Sequence, residues 1–263
     1  MTAGFAVWLY VVAPRHDGHP DPAELTGVAG EPLRAVVSDD LTAVVGSVPL
    51  EVFGEQQLRR NFEDLDWLEA TARAHDAVVS AMVRSGPVVP LRLATVFHDD
   101  NRVRALLGER RAEFAAALKL VSGRTEWGVR AYGDRAALTA AVAGARIGEA
   151  GTMTPGAAYL ARRRAQLSAQ ETVERDAAQQ ADEIHDRLVR HAVAGRRQPL
   201  TDPAVSGRSD WVVLNGTYLV DDDRTEDFSA TVATLDAEFA GIRLELTGPW
   251  PPYSFAGVQR GSE

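Results

Sequence analysis

Histidine is the side chain best suited to acid–base or metal chemistry near neutral pH, and the chain has six histidines. His16 and His19 fall in a loop rich in Pro, Gly and Asp, where they could form a weak metal clip. No third ligand is fixed nearby, so this segment is better explained as a solvated loop. His185 and His191 are six residues apart on a predicted helix and do not share a face. None of these four residues predicts a metal or catalytic centre.

His75 is a further candidate, because it lies on the apolar stripe of a predicted helix. A histidine in that position is more often a core residue bonded to backbone or to a carboxylate than a ligand. The alternative hypothesis is a small-molecule-binding or enzymatic protein that uses a cleft near His75 and Arg92. If His75 is enclosed by apolar neighbours with no adjoining pocket, that alternative loses its best residue.

Sequence motifs of enzymes are missing from the chain. It contains no HExxH zinc motif, no GxSxG nucleophile elbow, no Walker A loop and no GxGxxG after a strand. The absence of cysteine excludes thiolate nucleophiles and Cys-ligated zinc or iron–sulfur sites. The basic run Arg162–Arg164 lies on a predicted helix, where three consecutive residues point in three directions. The sequence therefore predicts no enzyme, no cofactor and no metal site.

The segment Gly248-Pro-Trp-Pro-Pro-Tyr-Ser-Phe255 has an unusual residue pattern. Its three prolines fix φ and forbid helix, which predicts a stiff extended segment displaying Trp250, Tyr253 and Phe255. Such a segment either packs across its own sheet as a C-terminal clasp or offers these three candidate partner-binding residues to another protein. If the segment is a clasp, Trp250→Ala should lower the free energy of unfolding by about 3–5 kcal/mol. If the segment instead binds another protein, the same substitution should weaken that binding and leave folding unchanged. The residues favour the clasp.

Length and composition bound the class of protein. The 263 residues are 45% hydrophobic and 25% charged, as in globular proteins, so a disordered or fibrous chain is excluded. The net charge of −9 argues against binding nucleic acid through its phosphates. The longest apolar run, Phe5–Ala13, is too short to span a bilayer, and no basic residue precedes it. The sequence predicts a cytoplasmic bacterial protein with neither a nucleic-acid nor a membrane partner.

The first half of the chain predicts the element order β, β, β, α, β, α. The run Phe5–Ala13 is β-branched and aromatic and predicts a central strand. The runs Leu33–Ser38 and Leu41–Val48 predict a hairpin. An extended run, Val88–Phe97, is followed by a helix from Asp99 or Asp100 to about Val121. Between the hairpin and this run, an amphipathic helix is predicted by one apolar stripe, which consists of Leu65, Leu68, Ala72, His75, Val79 and Met82.

The second half predicts the order strand, helix, strand, helix, strand, with a long helix over about residues 157–193. The other elements are a strand at Glu126–Tyr132, a short helix at Ala136–Val142, a strand at Trp211–Val220, a helix at Phe228–Phe239 and a strand at Ile242–Thr247. We therefore expect an α+β protein of two domains, residues 1–122 and 123–263, with antiparallel sheets and helices packed on one face. The order predicts a ferredoxin-like, split βαβ C-terminal domain.

Asn215-Gly216 leaves one ambiguity in this order. The dipeptide could form a type I′ hairpin turn and divide the segment into two strands. Alternatively, the strand runs straight through and pairs with a partner near Gln198–Leu200. Periodicity does not choose between the two.

Four segments of the chain, taken in order, match a known pattern. They are Trp8–Val12; Trp67–His75 leading into Val89–Phe97; Gly123–Arg130 followed by Gly156–Leu160 and the arginine run; and Leu244–Phe255. In this order they resemble the GvpL/GvpF family of gas vesicle accessory proteins, and the terminal motif is the most specific of the four. The resemblance implies a two-domain α+β fold with a ferredoxin-like C-terminal domain and a non-enzymatic role.

The resemblance also implies a partner. Proteins of this family resemble minor components of the vesicle or factors that assist its assembly. This implies that they bind the small hydrophobic shell subunit (GvpA) and limit its aggregation, and that they support vesicle nucleation and associate with the vesicle. Other gas vesicle accessory proteins are implied as further partners. A subunit that builds a gas-facing wall exposes apolar surface before assembly, which an acidic soluble protein could cover. The resemblance does not separate F-like from L-like members, and it favours an unbroken strand through Asn215-Gly216.

Overall fold

The computed structural model describes residues 4–15, 20–144, 155–200 and 211–256, with the backbone alone for 140–144 and 155–170. His16 and His19 lie outside the described residues. The chain divides into a first unit, Met1–Glu126 with Trp250–Glu263, and a second unit, Trp127–Pro249. The sequence-based domain boundary placed the terminal segment in the C-terminal domain. It groups instead with the first unit, because Phe255 is buried and Ser254 is hydrogen-bonded to Glu126.

The sheet of the first unit has a strand at its centre, as predicted. β1 (Phe5–Pro14) pairs antiparallel with β3 (Leu41–Pro49) on one side and with two short strands, β4 (Val89–Pro90) and β5 (Val96–Phe97), on the other. β2 (Leu33–Ser38) pairs with β3 as an antiparallel hairpin, which confirms that prediction. The hairpin turn places Asp39 at φ 51°, a left-handed conformation that Asp tolerates better than most residues.

Five helices surround this sheet: α1 (Leu50–Phe53), α2 (Glu55–Asn61), α3 (Leu65–Val83), α4 (Asp100–Glu109) and α5 (Arg111–Val121). The predicted amphipathic helix is α3, and Asp64 caps it by accepting hydrogen bonds from two backbone N–H groups. The single helix predicted over 99–121 is two helices, because Arg110 leaves helical geometry at φ −112°, ψ 20°. The sequence did not predict α1 and α2.

Helices cover both faces of the first sheet, and not one face as expected. On one face, Trp8 and Tyr10 of β1 pack in a cluster with Val79 and Met82 of α3. On the other, Leu9 packs in a cluster with residues of α4 and α5. A bulge between Leu9 and Val11 reverses the alternation of side chains, so that Val11 joins the α3 face beside Tyr10.

The second unit contains a four-stranded sheet with the strand order β7-β8-β6-β9. In chain order its elements are β6 (Arg124–Gly133), α6 (Arg135–Gly144), α7 (Pro155–Val189), β7 (Ala194–Arg197), β8 (Trp211–Asp221), α8 (Thr225–Glu238) and β9 (Ile242–Trp250). Its core joins Ile184 and Leu188 of α7, Phe228 of α8 and Tyr218 of β8. The mixed helix and antiparallel-sheet class is confirmed, while the ferredoxin-like description stays a prediction.

The segment around Asn215-Gly216 is one unbroken strand, β8. Its antiparallel partner is β7, in which Arg197 lies opposite Gly216. The backbone N–H of Gln198 donates to the carbonyl of Asn215 at 2.7 Å. The hairpin alternative is therefore wrong, and the partner lies close to the position that the unbroken-strand alternative required.

Candidate functional site

The three candidate partner-binding residues of the terminal segment differ in exposure. Trp250, at the end of β9, exposes 50% of its surface. Tyr253 is half-buried and packs against the Trp8 cluster of the first unit. Phe255 is 4% exposed and belongs to the core. The clasp expected from the sequence is therefore built by Phe255 and Tyr253, while Trp250 keeps half of its surface open.

A buried carboxylate holds the terminal segment in place. Glu126 is 5% exposed, and its two carboxylate oxygens accept hydrogen bonds from the Ser254 hydroxyl at 2.6 Å and the Ser254 backbone N–H at 2.8 Å. Hydrogen bonds to a charged acceptor are stronger than neutral ones, which offsets part of the cost of burying the carboxylate. The backbone then turns back on itself, as the N–H of Phe255 donates to the Pro252 carbonyl at 3.2 Å.

Tyr253 forms a second attachment between the terminal segment and the first unit. Burial raises the pKa of its phenol, and a hydrogen bond to the nearby Asp76 carboxylate raises that pKa further. The phenol is therefore a neutral donor at physiological pH. Tyr253 and the Ser254–Glu126 pair together attach the terminal segment at two polar points that directly precede the buried Phe255.

His75 is a core residue whose ring nitrogens are both engaged. The indole Nε1–H of Trp8 donates to Nδ1 of His75 at 3.0 Å, so the remaining proton of the neutral ring lies on Nε2. Nε2 donates to the Leu91 carbonyl at 3.0 Å, and the imidazole stacks on the Tyr10 ring with centroids 5.3 Å apart. Burial lowers the pKa of His75 below its ordinary value, although the bond to Leu91 opposes this shift.

The hydrogen bonds of Tyr10 extend this polar chain to a loop. Its hydroxyl donates to Glu31 at 2.7 Å and accepts from the Val28 backbone N–H at 2.8 Å. Burial and the hydrogen bond to Glu31 both raise the pKa of Tyr10. Arg92, which the alternative hypothesis placed beside His75 in a cleft, has an exposed side chain. Because His75 is enclosed and fully bonded, the enzymatic alternative loses its best residue.

A surface cleft of about 670 Å³ lies on the second unit. The Arg135 guanidinium stacks 4.2 Å from the centre of the Trp211 ring, and the Arg243 guanidinium stacks 4.4 Å from that of Tyr132. Arg135 also donates to Glu174 at 2.9 Å. Such stacked cations suit binding of an acidic group better than proton transfer. Neither His75 nor Arg92 lines this cleft.

Sequence reasoning missed an exposed apolar surface where α1, α2 and α3 meet. Leu65 was assigned to the buried stripe of α3, yet it is 75% exposed because the first turn of the helix extends beyond the core. Leu50 and Phe62 are exposed as well, at 42% and 36%. We call Leu50, Phe62 and Leu65 the corner surface. Its signal in the sequence is the mixture of apolar and acidic residues over Phe62–Asp66.

Two kinds of site are absent from the described ranges. Within residues 4–15, 20–144, 155–200 and 211–256, no three His, Asp or Glu side chains converge to hold a metal ion. No helix in the same ranges combines the length and the apolarity that crossing a bilayer requires.

Comparison with known proteins relates the whole chain to gas vesicle proteins. The family described as "Gas vesicle synthesis protein GvpL/GvpF" matches residues 6–257. Gas vesicle protein L of Streptomyces sp. (strain CB03234) is 42% identical over 258 residues, which cover 95% of this chain and 92% of that protein. Gas vesicle protein F of the same strain is 28% identical, over 94% of this chain and 98% of that protein.

Solved structures show the same fold. The crystal structure of gas vesicle protein GvpF from Anabaena sp. PCC7120 superposes with a TM-score of 0.69 at 17% identity, and the match covers 99% of both chains. GvpF from Microcystis aeruginosa superposes with a TM-score of 0.65 at 20% identity, covering 96% of this chain and 99% of that one. At these identities, the structural likeness supports the two-sheet α+β architecture.

Substitutions in the terminal segment should separate its packing residue from its exposed one. Phe255→Ala removes a buried ring, and we expect it to lower the free energy of unfolding by about 3–5 kcal/mol. Trp250→Ala removes a half-exposed ring and should cost only about 1 kcal/mol. Denaturant unfolding of the two variants, compared with the parent chain, measures both costs. A larger loss for Trp250→Ala would show that the clasp is built differently.

The buried histidine predicts that stability depends on pH. Because the pKa of His75 in the folded chain lies below its ordinary value of 6.5, the unfolded state takes up the proton first as pH falls. The contribution of neutral His75 to the free energy of unfolding is therefore complete above about pH 6.5. It is lost as the pH falls from there toward the pKa of His75 in the folded chain. We expect a lower urea midpoint at about pH 5.5 than at about pH 7.5.

Variants identify the histidine responsible for this effect. Burial also lowers the pKa of His185, so this residue contributes in the same direction. The difference in urea midpoint between the two pH values should become smaller in His75→Gln and, separately, in His185→Gln. An unchanged difference in His75→Gln would contradict the assignment to His75.

Proposed function

Because the chain belongs to the GvpL/GvpF family of gas vesicle synthesis proteins, we propose that it binds the hydrophobic shell subunit of the vesicle (GvpA) and limits its aggregation. In this role it supports vesicle nucleation and assembly and associates with the vesicle and with other accessory proteins. The observation that carries the proposal is the match to the family over residues 6–257. The family is one of gas vesicle proteins and is not a known enzyme family.

The physical need for such a protein follows from the shell itself. A subunit that lines a gas space has to present apolar surface that water does not wet, and before assembly this surface drives aggregation. A soluble binding partner removes the surface from water until the subunit is added to the wall. The net charge of −9 on this chain would keep the complex soluble through mutual repulsion.

The chemistry of the enclosed polar groups fits a binding role. His75 and Tyr10 are committed to hydrogen bonds within the core of the first unit. Glu126 is committed to Ser254. Because these enclosed groups are occupied by hydrogen bonds within the fold, contacts with partners have to be made by exposed side chains.

Co-expression with the shell subunit tests the proposal. We expect the soluble fraction of the shell subunit to rise several-fold, and the two proteins to co-purify, because binding removes the aggregating species from solution. A soluble protein of similar size and net charge serves as the control. If the shell subunit remains insoluble and no complex is recovered, the proposed function is wrong.

We also propose that this chain acts as an L-type member of the family. Within one Streptomyces strain it is 42% identical to protein L and 28% identical to protein F, each over more than nine-tenths of this chain. Two proteins with the higher sequence identity are more often alike in the residues that select their binding partners.

Gene replacement tests whether this chain acts as an L-type or an F-type member. We expect this chain to restore vesicles to a vesicle-forming host that lacks its protein L, and to fail in the same host lacking protein F. Vesicle yield by flotation and electron microscopy is the readout, with each native gene as the positive control. Rescue of the F deletion alone would reverse the assignment.

A further inference from the structure

We propose that the corner surface, formed by Leu50, Phe62 and Leu65, is a docking site for an amphipathic helix whose apolar face is flanked by basic residues. The inference deepens the proposed function, on which it rests, by assigning the chemistry of the partner segment.

The apolar side chains of the corner surface are connected through the fold. The backbone N–H of Leu50 donates to the Gly4 carbonyl at 3.0 Å, which fixes the first residue of α1 beside the start of β1. Phe53, one turn along α1, packs against the Trp67 ring with centroids 5.7 Å apart. Trp67 in turn contacts the Phe62 ring at 5.9 Å. The buried Phe53 ring and the half-buried Trp67 ring therefore link the helix that begins at Leu50 with Phe62.

The same contacts hold the surface rigid. The Asn61 side chain donates to the Val52 carbonyl at 3.1 Å and fixes the end of α2 against α1. Asp64 caps α3 next to Leu65. A surface that is already ordered loses little conformational entropy on binding, so its apolar area can be used for affinity.

Carboxylates dominate the surroundings of the corner surface. Between residues 50 and 69 the chain has six acidic residues and two arginines. Arg59 is paired with Glu55 at 2.8 Å. Among the residues that the structure describes, Glu51, Glu63 and Asp66 are exposed and have no basic partner. An apolar surface with an unneutralised acidic rim selects a partner that carries positive charge beside its apolar face.

The acidic rim disfavours other occupants. A second copy of this chain would bring the same carboxylates together, and like charges in an interface cost several kcal/mol. Anionic lipid headgroups and nucleic-acid phosphates would be repelled for the same reason. Most of the corner surface is built from residues at helix ends. This part offers no free strand edge with which a partner strand could pair. Recognition of a helix through its side chains is the peptide-binding mode that such a surface supports.

Two synthetic peptides test the inference with the full chain. Both are amphipathic helices of about 18 residues, five turns, with the same Leu-rich face. One carries lysines beside that face and the other carries glutamates. We expect the lysine peptide to bind at least about tenfold more tightly in fluorescence anisotropy, and its affinity to fall when salt is raised from about 0.1 M to about 1 M.

Matched substitutions locate the site. Leu65→Glu places a charge at the most exposed residue of the surface, and a glutamate in the first turn of a helix leaves α3 stable. Leu200→Glu is the control, since Leu200 is 54% exposed and lies in the second unit. We expect Leu65→Glu to weaken binding of the lysine peptide at least about tenfold and Leu200→Glu to leave it unchanged. Glu63→Lys should weaken binding while retaining every apolar side chain.

The experiments give different results for a failure of the docking site and for a failure of the proposed function. Equal binding of the two peptides, or equal effects of Leu65→Glu and Leu200→Glu in chains with the parent's unfolding midpoint, would overturn the docking site. If the lysine peptide binds as expected but the shell subunit remains insoluble on co-expression, the docking site holds and the proposed function fails. If the shell subunit is solubilised equally by the parent and Leu65→Glu, the partner helix belongs to another protein.

Discussion

The complete burial of β1 is the constraint on which the first unit depends. Residues Trp8–Ala13 have no exposed surface, and helices lie against both faces of the strand. Every polar group on such a strand needs a partner, since an unpaired buried donor costs about 1–3 kcal/mol. Trp8 therefore requires His75, and Tyr10 requires Glu31. The histidine that looked most capable of chemistry is fixed in the core by this requirement.

The terminal segment meets the same requirement in another way. Its prolines carry no N–H to satisfy, so Pro251 and Pro252 can be buried without leaving donors unpaired. The Ser254 N–H lies next to the buried Phe255, and Glu126 accepts from it. Because Glu126 precedes the point where the chain enters the second unit, the segment closes the first unit with residues far apart in sequence.

The sequence predicted the elements whose signal is local and missed features decided by context. β1, the β2–β3 hairpin, α3 and β8 follow from residue type and periodicity. The break at Arg110 could not be predicted, because the apolar stripe continues through α4 and α5 in the same register. Periodicity also assigned Leu65 to the core, since it reports which residues share a helix face but not how far the core reaches. In the terminal segment, the aromatic pattern was clear, but the depth at which each ring lies depends on distant partners.

The acidic rim and the exposed apolar residues of the corner surface are best understood together. Three exposed large apolar side chains at one junction of helices would ordinarily promote self-association. Carboxylates beside them make contact between two copies unfavourable, so the surface can stay open in a soluble protein. The same carboxylates attract a partner of opposite charge. One arrangement of charge, the acidic residues that flank Phe62 and Leu65, therefore limits aggregation and selects the partner.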